Sequence, residues 1–521
     1  MNSRGRRSLR FAVALPILAM ANMTAVPGAS AAMVNPGPGY LTVSQNGYAF
    51  RNFQLGTLPA ERCPSTISPC QNLASEPAIR SDPAGTFYGS SENGLIFGTE
   101  AWKSTDRGLH YTHLLSPNQI SGTSGAVGPG LSPAGGDTDL STASRRNSAG
   151  LYNVYVASLQ GVDIAVSTSA DAGQTWLVNH AASKFPIDDR EWIAADGASK
   201  VCISYVSHAG FVLPQLGLHV ECSYDAGATF SQLSDAINPL NIDSRLGFKI
   251  GNLTIDRHSD LRDPARLNDI LYATYSGGTA GDVTNPSANN HVVWMAVSRD
   301  GGRTFNDYQV YNNPDSTADY GHQFTNVSVD AAGNVYSFFS DDHNLYFMFS
   351  SDHGQTWHGN LDGTPILVNK PPSNTAIFPW SAAGGAGKVD VVWYGTDFYA
   401  PVHPDNYPPT AAWYVYFGQN LHATTVGSTF TQGQASPVVH YGGVCEGGAG
   451  CTTGNRDLYD DIGVATNART GMASIIYSDD QYEQFSPAYS SPYCAHGDSN
   501  SRNCGHTNIA TQTAGPGVGR S

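Results

Sequence analysis

Charge is scarce in this chain, and so are the long patterned runs that build helices. Only 13% of its 521 residues are Asp, Glu, Lys or Arg. No long stretch repeats apolar residues at helical spacing, which excludes a helix bundle. Basic residues are fewer still, 27 Lys and Arg against 43 Asp and Glu. A chain this acidic does not hold a nucleic-acid backbone by general charge. Beyond the N-terminal segment, no apolar run is long enough to span a bilayer as a helix. The eight cysteines include no CxxC pair of pairs, which argues against structural zinc.

What the chain does have is glycine, 56 residues, and a repeated octet. The clearest copy is Ser169-Ala170-Asp171-Ala172-Gly173-Gln174-Thr175-Trp176. Asp and Ser oxygens can accept the N–H groups of a tight turn, Gly supplies a positive φ, and Trp opens the next strand with a large face to bury. Further copies start at Ser223, Ser298 and Ser350, and a weaker one at Ser104. Recurrence at intervals of tens of residues marks a repeat protein. The octet resembles the Asp box of bacterial sialidases and related β-propellers. An Asp box is a turn, so the resemblance implies architecture and not activity.

Met1 to about Ala32 reads as a signal peptide. Arg4, Arg6, Arg7 and Arg10 form its positive end, Phe11–Val26 its apolar core, and Ala29-Ser30-Ala31 a small-x-small cleavage site. Arg6-Arg7 also hints at twin-arginine export. A mature chain without those four arginines keeps 23 basic and 43 acidic residues, a net charge of about −20. The expectation is a secreted, monomeric protein. Export permits disulfides, and the cysteines fall into close pairs: Cys63/Cys70, Cys202/Cys222, Cys445/Cys451 and Cys494/Cys504.

Residues 33–75 form an N-terminal segment in which Tyr40–Ser44 reads as a strand. From 76 to 515 a module of short strands repeats, each strand bounded by turn residues such as Asp82-Pro83-Ala84-Gly85. The fold class expected is all-β: a β-propeller of four-stranded antiparallel blades. Seven modules can be laid out. Tyr40–Ser44 is the candidate to complete the last blade and close the ring.

In a propeller the first strand of each blade lines the axis. The Asp boxes, between third and fourth strands, sit at one end; the starts of the first strands sit at the other. Down the repeats that position gives Glu76, Asp137, Asp139, Asp189, Arg190, Glu191, Asn252, His322, Trp380, Arg456, Tyr459, Asp460 and Asp461. Equivalent positions converge, so these residues should meet at one axial mouth. Crowded acids raise one another's pKa, the arrangement an acid/base pair needs. No cofactor is required by this reading. The bland alternative is a Ca²⁺ ion in the axial channel, held by hard oxygens of Asp137-Thr138-Asp139. The loops from Asp397 to Thr410 and Gln481 to Asn503 are rich in aromatics and suit the apolar faces of sugars.

Glu76-Pro77, Gly135-Gly136-Asp137-Thr138-Asp139, Asp189-Arg190-Glu191-Trp192, Phe378-Pro379-Trp380 and Val392-Trp393-Tyr394-Gly395-Thr396 look like secreted bacterial sialidase-like, Asp-box (BNR-repeat) glycosyl hydrolases. Sialidases of this kind have six blades, which makes six the fallback count. The resemblance implies a glycan or glycoconjugate substrate. It implies Arg190 and Arg456, with Arg51 as a third, for a substrate carboxylate. It implies Tyr459 as nucleophile and Asp137 or Asp139 as acid/base. With Asp189 and Glu191 these are the candidate catalytic residues; Glu76, Arg190, His322, Trp380 and Arg456 are the candidate substrate-binding residues. The Phe-Arg-Ile-Pro type motif of sialidases is absent, and an anionic sugar would meet an acidic mouth. The lead reading is therefore a secreted glycoside hydrolase acting on terminal sugars, with exo-α-sialidase as the family default. The alternatives are a non-catalytic glycan- or protein-binding propeller and a lyase or metal-dependent enzyme built on a central Ca²⁺.

Overall fold

A computed structural model describes residues 24–25, 33–34, 40–55, 75–92, 98–118, 134–161, 163–186, 188–207, 217–242, 248–445, 456–481 and 506–519. Its strands form seven antiparallel sheets, each at least four-stranded and ordered along the chain: the blades of a β-propeller. The first strands, in blade order, are Ser75–Ser81, Thr138–Arg146, Asp188–Asp196, Phe248–Ile255, Asn326–Val329, Thr375–Ala383 and Gly463–Thr466. Each pairs with its second strand in antiparallel register, through a short turn except in blade 4, where residues 256–270 make the connection. The seven-blade count thus holds, and the six-blade fallback does not.

The ring closes with N-terminal chain, one strand further along than expected. The fourth strand of blade 7 is Tyr48–Gln54, paired with His506–Ala514; Leu41–Gln45 lies outside it as a fifth. Thr24–Ala25 and Met33–Val34 add at the edges of blades 2 and 1. The rest of the expected signal peptide, its cleavage site included, lies outside the described residues. So do Cys63, Cys70, Cys451, Cys494 and Cys504. Cys202 and Cys222 are directly opposed on the second and third strands of blade 3 and form the expected disulfide. Cys445 is also disulfide-bonded. Among the described residues, no helix is long and apolar enough to cross a membrane.

The Asp boxes explain why so short a spelling recurs. In the first, Ser169 Oγ accepts the Gly173 N–H at 2.7 Å, Asp171 Oδ1 accepts the Gln174 and Thr175 N–H groups, and Asp171 Oδ2 accepts the Thr175 hydroxyl at 2.6 Å. Gly173 sits at φ +86°, and a Cβ there would stand 2.7 Å from Leu114. The residue before it is left-handed too: Ala172, Ala226 and His353 have φ near +60°, a second demand that the spelling does not show. Asp225, Asp300 and Asp352 repeat the pattern. In the weak box His110 Nδ1 replaces the Thr hydroxyl, 2.6 Å from Asp106 Oδ2. Trp176 and Phe230 then pack between blades, buried, while Phe305 and Trp357 are half-buried.

Candidate functional site: the axial mouth

The first strands do not start as plain strands. In blades 1, 3, 4 and 6 the pairing register slips at the same place, between Ser75 and Ala78, Asp189 and Trp192, Ile250 and Leu253, and Ile377 and Trp380. The slip is a β-bulge, and its first residue is Glu76, Arg190, Gly251 or Phe378. Glu76, Arg190 and Phe378 carry φ of +46°, +53° and +53°. A left-handed bulge re-aims a side chain, and strain of this kind persists only where the surroundings over-determine it. Glycine at 251 has its own reason, since a Cβ there would lie 2.1 Å from the Thr325 carbonyl oxygen.

The bulges aim Glu76 and Arg190 at the axis. Arg190 is buried and every guanidinium nitrogen meets a carboxylate. Its Nη1 is 2.5 Å from Asp461 Oδ2, its Nη2 is 3.1 Å from Glu76 Oε1 and 3.2 Å from Asp460 Oδ2, and its Nε is 3.2 Å from Asp137 Oδ2. Its flat face lies 4.3 Å from the Phe324 ring centre. Arg456 adds contacts to Asp460 at 3.0 Å and Glu76 at 3.4 Å, and covers the Tyr459 ring. Residues from blades 1, 2, 3 and 7 thus meet at the end of the ring opposite the Asp boxes, as the repeat frame requires. Arg456, Asp137 and Asp460 carry the solvent-facing surface of the cluster, with side chains 30%, 19% and 12% exposed; Glu76 is sealed beneath them.

Burial sorts these acids. Glu76 is pushed well above the ordinary carboxylate range by burial, with Asp137, Glu92 and Asp460 adding to the rise and Arg190 opposing it. Glu92 and Glu191 are raised for the same first reason. Burial pushes Asp461 up to about 7 against the pull of Arg190. Asp460 goes the other way: burial would raise it, but Arg456, Arg190 and Lys249 together hold it low. Carboxyls that keep a proton therefore stand beside one that does not, which is the setting for acid/base work. Oxygens of Glu76, Glu92 and Asp137 lie within 4.8 Å of one another. Tyr459 is close enough that, after burial, the charges of Glu92 and Glu76 raise its phenol.

Other expected members are placed elsewhere. Asp139 is wholly buried below the mouth, where Arg80 sits 2.8 Å away and the Leu140 and Ile193 N–H groups donate to it. The Thr138 hydroxyl donates to the Ala157 carbonyl. The oxygens of Asp137-Thr138-Asp139 expected as a Ca²⁺ set are thus engaged separately, Asp137 by Arg190. Asp189 is exposed at the rim. Asn252 ties blades 4 and 5 together, accepting the Val327 N–H and donating to the Val327 carbonyl. Trp380 is a buried floor, 5.1 Å from Trp192 and 5.1 Å from Arg80. Arg51 lies on the outer strands of blade 7 against Tyr40, away from the mouth, so it is not a third arginine of a common clamp. His322 belongs to a different group, with Asp342 and His403. In the Asp397–Thr410 loop Phe398 and Tyr407 pack on each other, and Tyr407 on Trp413, while Tyr399 is exposed. The aromatics from Tyr482 to Tyr493 lie outside the described residues. A cavity of about 690 Å³ opens at the far end of the channel, beyond Trp380, lined by the first-to-second-strand turns around Asp82, Asp256 and Asp330.

Glu92, Lys249 and Phe324 are mouth residues that sequence reasoning passed over. Lys249 is the second residue of a first strand and Phe324 lies two residues ahead of one, so both were reachable by extending the repeat frame a few residues; Glu92 ends a second strand and carries no such signal.

No protein-family model matches the chain, and no curated protein matches it. Among solved structures it is similar to the α-L-arabinofuranosidase of Fusarium graminearum, at 13% identity over 66% of this chain and 92% of that one, with a TM-score of 0.41. It is similar to the α-L-arabinanase of Penicillium chrysogenum at 11% identity over 91% and 98%, with a TM-score of 0.39. A Hadza microbial sialidase aligns at 12% identity over 61% and 63%, with a TM-score of 0.36.

Proposed function

We propose that the protein is a glycoside hydrolase of the propeller type, acting outside the cell on terminal sugars of glycans, with the axial mouth as its active site. The observation that carries this is the Glu76–Glu92–Asp137 group, three carboxyls within 4.8 Å in which both Glu side chains are raised well above the usual range. Glu92 is the proton donor in this reading, with Glu76 sealed beneath it. Asp137, its side chain 19% exposed and 3.2 Å from Arg190 Nε, is the partner carboxyl nearest to solvent. Tyr459, beside both Glu residues, is the nucleophile implied by the sialidase resemblance.

The finer substrate is a neutral sugar in preference to a sialic acid. Arg190 has no nitrogen left for a substrate carboxylate, and Arg51 is elsewhere, so among the described residues Arg456 alone offers guanidinium surface at the mouth. A second reading rests on the same saturation of Arg190: an interior salt cluster that stiffens a non-catalytic glycan-binding propeller. A panel of chromogenic glycosides and sialosides, assayed with and without chelator, separates these. Turnover of a neutral glycoside that Asp137→Asn abolishes supports the hydrolase. Glycan binding without turnover supports the second reading, and chelator-sensitive turnover supports the central-Ca²⁺ alternative.

A further inference from the structure

Radially outward from the mouth, three connections between strands bring three side chains to one point. His322 comes from the segment joining blades 4 and 5. Asp342 comes from the turn between the second and third strands of blade 5. His403 comes from the corresponding connection of blade 6, just ahead of the short 3-10 turn Pro404–Asn406. His322 Nδ1 is 2.5 Å from Asp342 Oδ2. His403 Nε2 is 3.2 Å from the same oxygen and 3.3 Å from His322 Nδ1. We propose that His322 Nδ1, His403 Nε2 and Asp342 Oδ2 form a binding site for a divalent transition metal of the zinc class.

The distances support a metal. An ion bonded to N and O ligands at about 2.0–2.2 Å in tetrahedral geometry holds them roughly 3.3 Å apart. Two of the three separations have that value, and the third needs less than an ångström of opening. The donor set is two imidazoles and one carboxylate. Such a set favours zinc and its neighbours over Ca²⁺ or Mg²⁺, which take oxygen ligands.

The surroundings support it independently. Metal-binding His and Asp side chains are normally fixed by partners on their far atoms. Here His403 Nδ1 is 2.7 Å from Asp405 Oδ1, and His322 Nε2 is 3.5 Å from Asp319 Oδ2. Asp342 Oδ1 accepts the Gln323 amide at 3.1 Å. Gln323 in turn accepts the N–H of Phe378, the left-handed residue of the blade 6 bulge. His322 and His403 side chains are 44% and 28% exposed, so solvent or a ligand can reach a further coordination position. A bound ion would fasten the 397–411 connection of blade 6 to blade 5. Through Gln323 and the adjoining Phe324, which lies against Arg190, it would also steady one wall of the mouth. The rival occupant is a pair of protons on the two imidazoles.

The test uses the full-length secreted chain, freed of metal by chelator and titrated with Co²⁺ and then Zn²⁺. One Co²⁺ per chain should give visible d–d bands, and one equivalent of Zn²⁺ should abolish them. His403→Gln, His322→Gln and Asp342→Asn should each lose the bands while keeping a cooperative thermal transition. Asp405→Asn, which removes no ligand, should keep the bands with affinity about 10–100-fold weaker. Glu92→Gln, in the mouth, should leave the Co²⁺ bands and their affinity as in wild type. Absence of bands in the folded wild type, or their survival in both His403→Gln and His322→Gln, overturns the proposal and leaves the proton-bridged pair. A melting temperature raised by Ca²⁺ but not by Zn²⁺ overturns it as well.

Discussion

The two ends of the propeller use the same residue type in opposite ways. At the Asp-box end, burial nudges Asp171, Asp225, Asp300 and Asp352 upward, but hydrogen bonds from Thr, Ser and backbone N–H groups outweigh it and each is held low. At the mouth, burial wins over nearby arginines, and Glu76, Glu92 and Asp461 are held high. One end satisfies its carboxylates locally, within five residues of chain. The other crowds carboxyls from different blades and neutralises them across the axis. A turn can be built from an octet; the mouth exists only once the ring closes. The first therefore contributes stability, and the second is where the proposed chemistry would sit.

The largest effect expected is on the box end. Trp176→Ala removes a fully buried indole between blades and should cost about 3–5 kcal/mol of stability. Urea unfolding of wild type and variant measures it. Loss of glycan turnover at unchanged stability would break the division of labour between the two ends.

Next comes the mouth. Asp137→Asn and Glu92→Gln keep shape and remove charge or proton. Each should cut turnover by about 10²-fold or more with little change in melting temperature. Initial rates on the best chromogenic substrate check this. A variant that melts much earlier yet turns over normally would make the cluster a structural salt core.

The pH dependence of stability tests both ends at once. Asp461 is raised from 3.8 to about 7 and Asp188, buried in blade 3, likewise to about 7. A raised carboxyl contributes stability that is complete below its unfolded value and is lost as pH rises through the folded one. Asp352 is lowered from 3.8 to about 2, so its contribution is present above its unfolded value and lost as pH falls through 2. Melting temperature should peak near pH 4, falling on the alkaline side up to about pH 7 and on the acid side down to about pH 2. Asp461→Asn should flatten the alkaline side alone. An unchanged alkaline limb in that variant would mean that the mouth acids do not hold their protons.

The architecture was legible because it depends on local, repeated chemistry. Turn acceptors, glycines and a buried aromatic recur in the chain, and the strand pairs form between them. The mouth was legible only in outline. The repeat frame brought Glu76, Asp137, Arg190 and Arg456 together, since equivalent positions converge. It missed that a bulge turns Arg190 inward and leaves its neighbour Asp189 in water. It could not tell Asp137, just ahead of a first strand, from Asp139, the second residue in it, of which one faces the mouth and the other is spent on Arg80 below. Nor could it bring His322 to His403, 81 residues away in another blade. Those depend on loop conformation, which no short-range pattern encodes.

A smaller effect separates the box's hydrogen bonds from its hydrophobic plug. Asp171→Ala strips acceptors from two backbone N–H groups and the Thr175 hydroxyl, and water can replace part of what is lost because the turn is partly exposed. Stability should fall by about 1–2 kcal/mol, well short of Trp176→Ala.

The smallest effect concerns the weak box. Its Ser104, Asp106 and Gly108 hold the same geometry as the others: Ser104 Oγ accepts the Gly108 N–H at 2.9 Å, and Asp106 Oδ1 accepts the His110 N–H at 3.0 Å. Only the last contact differs, an imidazole nitrogen in place of a Thr hydroxyl. If the box is defined by geometry, His110→Thr should restore the common contact and leave stability within about 0.5 kcal/mol of wild type. His110→Ala should lose a similar small amount, because the imidazole is half-exposed and its ion pair with Asp106 is screened by water. A loss of several kcal/mol from His110→Thr would mean that this turn is not equivalent to the other four. The contrast between a self-satisfied end and a crowded one would then hold for blades 2 to 5 and fail at blade 1, the blade that supplies Glu76 and Glu92.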